Sequence, residues 1–85
     1  MGDLQVEFIH PTDGRTVSVT VDDTMTGNEA IEELIANDFI NASQQGYNLA
    51  VKGGNQIHAD QSFLSAGVKN NDKIRIIPAT DAGKL

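Results

Sequence analysis

Cysteine and tryptophan are absent from the 85 residues, and the aromatic side chains amount to three phenylalanines and one tyrosine. Without cysteine there is no disulfide framework, no thiolate metal site and no cysteine nucleophile, so stability must come from packing, as suits a cytoplasmic chain. No apolar run exceeds three or four residues, against the ~20 that a membrane span requires. The opening Met1-Gly2-Asp3-Leu4 lacks the basic stretch of an export signal, so neither export nor a membrane span is expected. Basic residues are also scarce, six against twelve acids, for a net charge of -6. The imbalance is uneven: residues 1–38 hold nine acids and one base, residues 39–85 three acids and five bases. Phosphate backbones repel such a chain, which argues against nucleic acid as a partner and for a protein with a basic docking face.

With 39% of 85 residues apolar, the chain can build one compact core and not two. Leu4, Val6 and Phe8 alternate with Gln5 and Glu7, and after the turn chemistry of His10-Pro11-Thr12-Asp13-Gly14 the alternation resumes at Val17, Val19 and Val21. This predicts a β-hairpin. At Thr26 the period changes. Its hydroxyl and the Glu29 carboxylate form a capping box, and Ala30, Ile31, Leu34 and Ile35 recur at helical spacing. The helix is expected to fade near Asp38, with Phe39 and Ile40 available to extend its apolar stripe, and residues 41–46 to connect. Tyr47, Leu49 and Val51 predict a third strand, closed by Gly53-Gly54, with a short return around Gln56 to His58. Leu64 and Val68, four apart around a glycine, suggest one turn of helix and a bend. Asn70-Asn71-Asp72 is turn chemistry, and Lys73 to Ile77 is a last strand, stopped by Pro78. Hairpin, helix, two strands, turn and strand make an α+β domain: one mixed sheet of four to five strands with one main helix across one face. With the first and last strands side by side in the centre, this is the β-grasp arrangement over residues 1–78, followed by a flexible tail over 79–85.

Over residues 3–78 this pattern resembles the ubiquitin-like family. The most specific stretch is Ser62-Phe63-Leu64-Ser65-Ala66-Gly67-Val68-Lys69-Asn70-Asn71-Asp72-Lys73-Ile74-Arg75-Ile76-Ile77, a leucine, a glycine followed by an aliphatic, a polar turn and the final strand. The compact form also resembles small bacterial ubiquitin-like proteins that accompany type VII secretion systems or conjugation operons, and a multicomponent monooxygenase subunit of the same fold. The fold serves covalent modifiers, sulfur carriers and noncovalent adaptors, so specific residues must decide between them.

Setting Ile74 and Ile76 on the inward residues of the family's last strand brings Gly83 onto its conjugation glycine, with Ala82 in place of the penultimate glycine. The resemblance then implies a covalent modifier, activated at the Gly83 carboxylate by an ATP-dependent enzyme after a processing peptidase removes Lys84 and Leu85. That extension argues against a sulfur carrier. The alternative is a noncovalent adaptor or regulatory subunit of a larger bacterial assembly, of the secretion-associated or monooxygenase-associated type. It would use the sheet face opposite the helix, where Ile9, Ala50 and Ile77 form a small apolar patch beside Arg75. Ala50 stands where ubiquitin has its central patch isoleucine, which makes the patch smaller. Lys52, Lys69, Lys73 and Lys84 read as ordinary solvated lysines.

No catalytic centre, metal site or cofactor is expected. His10 and His58 lie in separate polar loops without the pairing of a zinc site, and Asp22-Asp23 read as turn and helix-dipole acids. Lys52-Gly53-Gly54-Asn55 lacks the spacing of a phosphate-binding loop. The carboxylates of Glu29, Glu32 and Glu33 read as a solvated helix face.

Overall fold

The computed structural model describes residues 2–44 and 46–79. Its elements run β1 (Asp3–Ile9), β2 (Thr16–Asp22), α1 (Gly27–Ala36), β3 (Tyr47–Val51), β4 (Gln56–Ile57) and β5 (Lys73–Pro78). The five strands form one sheet in the order β2-β1-β5-β3-β4. β1 and β5 pair in parallel at its centre, and the other neighbours are antiparallel. The chain therefore has the mixed-sheet, single-helix β-grasp architecture that its hydrophobic pattern predicts.

Strand parity sets the two faces. Val6 and Phe8 of β1, Leu49 of β3 and Ile74 and Ile76 of β5 are buried towards the helix, where they meet Ala30, Ile31 and Leu34. Full burial of an aliphatic or aromatic side chain stabilises the fold by roughly 1.5–3 kcal/mol each. The residues between them emerge on the opposite face.

The start of α1 follows the capping box. Glu29 N donates to Thr26 Oγ1 at 3.2 Å, and Thr26 N donates to Glu29 Oε1 at 3.0 Å. Two otherwise orphaned amides are satisfied together, so Thr26→Ala should lower stability by about 1 kcal/mol in chemical denaturation. An unchanged midpoint would mean that the box adds nothing.

The other end departs from the pattern. The helix stops at Ala36, and Phe39 and Ile40 do not extend it. Asp38 adopts φ 61°, its N–H bonds Ile35 O at 3.0 Å, and Phe39 N–H bonds Leu34 O at 3.0 Å. This is a Schellman closure with an aspartate where glycine is usual. It turns Ile40 into the core and sets the Phe39 ring edge-on to His10 at 5.3 Å, beneath Arg15 at 5.5 Å.

The segment after β4 also differs in detail. Ala66 N to Ser62 O at 2.9 Å, Gly67 N to Leu64 O at 3.1 Å and Val68 N to Phe63 O at 3.0 Å close a single turn. Gly67 ends it at φ 80°, a conformation that disfavours any side chain. The residues driven inward are Phe63 and Val68, whereas Leu64 is 59% exposed. Spacing of four had paired Leu64 with Val68. The left-handed residue reverses the chain before that spacing applies.

Candidate protein-binding face

The sheet face away from α1 is built from alternate residues of five strands. Ile9 pairs with Arg75, Arg75 with Ala50 and Ala50 with Gln56, so these four form one row across β1, β5, β3 and β4. Ile77 follows Arg75 by two residues along β5, opposite Asn48, and is 43% exposed. Ile9, Ala50, Arg75 and Ile77 thus share one surface. Arg75 lies between Ile9 and Ala50, so the apolar patch is divided by the guanidinium stem. On the far side of that stem Ile9, Pro11, Ile77 and Pro78 border a shallow depression of about 290 Å³.

Charge is grouped by region. Glu7 pairs with Lys73 in the parallel ladder, and Lys73 Nζ lies 2.7 Å from Glu7 Oε1. Lys52 N donates to Lys73 O at 2.8 Å, which extends the same row to β3. Around the row of Ile9, Arg75 and Ala50 three bases, Lys52, Lys73 and Arg75, therefore stand against the one carboxylate of Glu7, while Asp3 and Asp22 pair at the far end of the β1–β2 ladder. Glu29, Glu32, Glu33 and Asp38 are exposed on and just beyond the helix. The polarity that runs along the sequence groups the bases around the central strands and the acids on the helix side, so a partner's charge depends on which region it meets. The sheet face suits an apolar surface that carries acids, whereas the helix side suits a basic one. No aromatic ring belongs to the outward-facing rows, so the face lacks the stacking platform that single-stranded nucleic acid uses.

The remaining candidates separate. Gly83, with Ala82, Lys84 and Leu85, lies outside the described residues. Lys52, Lys69 and Lys73 are exposed. His10 Nδ1 lies 3.2 Å from Thr12 N and 3.1 Å from Thr12 Oγ1, which commits it to the hairpin turn. His58 is exposed, and its amide donates to Gln61 Oε1 at 3.1 Å. The Thr24 amide and hydroxyl both donate to Asp22 Oδ1, at 3.1 and 2.9 Å, and hold that carboxyl below its usual range. Asp22 is a turn acid. Among the described residues, no three His, Cys, Asp or Glu side chains cluster as a metal site, and no helix is long and apolar enough to cross a membrane. Sequence reasoning passed over Lys52 and Lys73 as site residues because their grouping depends on which strands become neighbours. It also passed over exposed Leu64.

No family model and no curated protein sequence matches the chain. Solved structures do. Ubiquitin of Caldiarchaeum subterraneum superposes with a TM-score of 0.71 at 19% identity, over 91% of this chain and 94% of that one. A ubiquitin-like domain of an Arabidopsis thaliana protein gives 0.71 at 16% identity, over 93% and 80%. A chain of the toluene 4-monooxygenase HD complex with the inhibitor 4-bromobenzoate gives 0.71 at 14% identity, over 88% and 96%.

Proposed function

Starting from a ubiquitin-like β-grasp fold, we propose that this protein acts as a noncovalent adaptor that docks into a larger assembly through its exposed sheet face. One observation carries this reading: Ile9, Arg75 and Ala50 form a single cross-strand row, with Ile77 beside it, and the bases around that row, Lys52, Lys73 and Arg75, outnumber its one acid, Glu7. The partner is a protein surface with an apolar centre and acids placed to meet Arg75, Lys73 and Lys52. That a chain of the same fold occurs in a monooxygenase complex favours a role inside an assembly. Arg75→Glu reverses the central charge without disturbing the buried side of β5, and should weaken partner binding at least about tenfold. Undiminished binding would contradict the reading.

A second reading has its own support. Ile74 and Ile76 point inward, 0% and 3% exposed, as the register that assigns Gly83 the conjugation position requires. In that reading a peptidase hydrolyses the Gly83–Lys84 peptide bond. An activating enzyme then joins the freed carboxylate to AMP from ATP with release of pyrophosphate, and an acceptor amine displaces the AMP. A chain ending at Ala79 keeps the hydrogen bond from Ala79 N to Gly46 O at 3.1 Å. An adaptor made this way retains its partner, whereas a modifier forms no conjugates. Loss of the partner on this truncation would favour the second reading over the first.

A further inference from the structure

The turn between β1 and β2 carries the chain's one Asp-Gly pair, Asp13-Gly14. An aspartate can close on the residue after it: the following amide nitrogen attacks the side-chain carboxyl carbon, water leaves, and the five-membered succinimide reopens to an ordinary or an iso-linked aspartate. The attack needs an amide with no hydrogen bond to break, a carboxyl carbon held beside it and no side chain in the way. Most of the described aspartates fail the first requirement. The amides that follow Asp22, Asp23, Asp38 and Asp60 donate to Gly2 O at 2.8 Å, Asp22 Oδ1 at 3.1 Å, Leu34 O at 3.0 Å and His58 O at 3.1 Å, and those after Asp3 and Asp72 belong to β1 and β5.

Asp13 differs at each point. Gly14 has φ 75°, its N–H meets no acceptor among the described residues, and nothing lies within 4 Å of where a Cβ would stand. The Arg15 amide donates to Asp13 Oδ1 at 2.9 Å, and Arg15 Nε lies 2.8 Å from Oδ2. The first bond closes an Asx turn whose ring contains both the Asp13 carboxyl carbon and the Gly14 nitrogen, so it holds the two reacting atoms on one side of the chain. Arg15 also restrains the chemistry. Its amide, and then its guanidinium, hold the carboxyl below its usual range, and His10, with Nδ1 3.3 Å from Oδ1, faces the same group. The ionised form is the slow one, because a carboxyl oxygen leaves as water only after protonation.

We propose that Asp13-Gly14 is a site of spontaneous isoaspartate formation in the folded protein, positioned by the Asx turn and slowed by the Arg15 guanidinium. The Gly14 N–Asp13 Cγ bond forms as the protonated carboxyl and the amide N–H together release one water. A second water then breaks the Asp13 C–Gly14 N bond, which leaves the chain running through Cγ, a free carboxyl on Asp13 Cα and the mass unchanged. The main chain gains a methylene between His10 and Arg15, whose bond from His10 N to Arg15 O at 2.7 Å closes the hairpin. The product is a substrate of the kind that an isoaspartyl methyltransferase esterifies with the methyl group of S-adenosylmethionine. This site does not depend on what the sheet face binds.

The test keeps the purified full-length protein in warm, mildly acidic buffer for several weeks. Isoaspartate is counted by methyl transfer from labelled S-adenosylmethionine and placed by electron-transfer fragmentation. Asp13 should accumulate it at least about fivefold faster than any other described aspartate. Asp13→Asn keeps an acceptor for the Arg15 amide and has no charge to neutralise, so it should react at least about fivefold faster again, with loss of ammonia. Arg15→Gln retains the backbone amide that closes the turn but not the guanidinium, and should quicken the reaction at Asp13 at least about twofold. Asp13→Glu, which would need a six-membered ring, should form none at this position. Isoaspartate at Asp13 in the urea-unfolded chain but not in the folded protein would overturn the proposal, as would equal accumulation at several aspartates or an Arg15→Gln rate at or below wild type.

Discussion

Phe63→Ala is expected to lower stability by about 3–5 kcal/mol, whereas Leu64→Ala, one residue on, should change it by less than about 0.5 kcal/mol. A chain of this length has a total stability on the order of 4–13 kcal/mol, so the first variant loses much of it. Phe63 is 0% exposed, and its ring packs tilted against Phe8 with centroids 6.4 Å apart. Its N–H donates to Met25 O at 2.9 Å, which ties the turn to the entrance of α1, and its carbonyl receives Val68 N–H at 3.0 Å. Removing the ring opens a cavity where the helix, the turn and the central strand meet. Leu64 stands 59% exposed and opens none. Urea or guanidinium midpoints measured side by side decide the matter, and equal losses in the two variants would contradict this account of the core.

Gly27→Ala is expected to destabilise the protein by about 1–3 kcal/mol, opposite in sign to the usual effect of replacing a helical glycine with alanine. Gly27 is the first residue of α1. Its N–H donates to Gln61 O at 3.1 Å, and Asn28 N donates to Ala59 O at 2.9 Å, so the loop after β4 lies directly against the helix start. A Cβ at residue 27 would sit 2.7 Å from the carbonyl oxygen of His58, a backbone atom that cannot rotate aside. Relief requires the helix to lift or the loop to withdraw, and either movement strains those two hydrogen bonds. Thermal unfolding of the variant should show a lower Tm. A Tm equal to or above the parent's would mean that the close approach is relieved without cost.

These two variants also show where sequence and structure part. The hairpin is legible because alternation at Leu4, Val6 and Phe8 and at Val17, Val19 and Val21 leaves one register that buries both sets. The helix start is legible in Thr26 and Glu29, whose side chains act locally. The helix end is not, since Asp38 takes the left-handed conformation only because Phe39 and Ile40 find better burial off the helix axis. Phe63 and Leu64 are adjacent apolar residues, and which one turns inward depends on Gly67 reversing the chain. On the candidate face, strand parity reveals that Ile77 points out while Ile74 and Ile76 point in. The position of Arg75 between Ile9 and Ala50 requires the β1-β5-β3 order as well as the parity. The charge split between the two halves of the chain is visible in the sequence, but its translation into a basic cluster on the central strands and an acidic helix side needs the whole topology.

The central claim is that the protein works by being bound through the face around Ile9, Ala50, Arg75 and Ile77. It is tested most directly by isolating the complex this protein forms in its own cells with wild type and with Ile77→Asp, both shown to be equally folded by Tm. The account predicts that the wild type retains a defined protein partner in fixed ratio and that Ile77→Asp, which puts a carboxylate on the most exposed apolar residue of the face, loses it by at least about tenfold. Retention of the same partner at the same ratio by Ile77→Asp would contradict it.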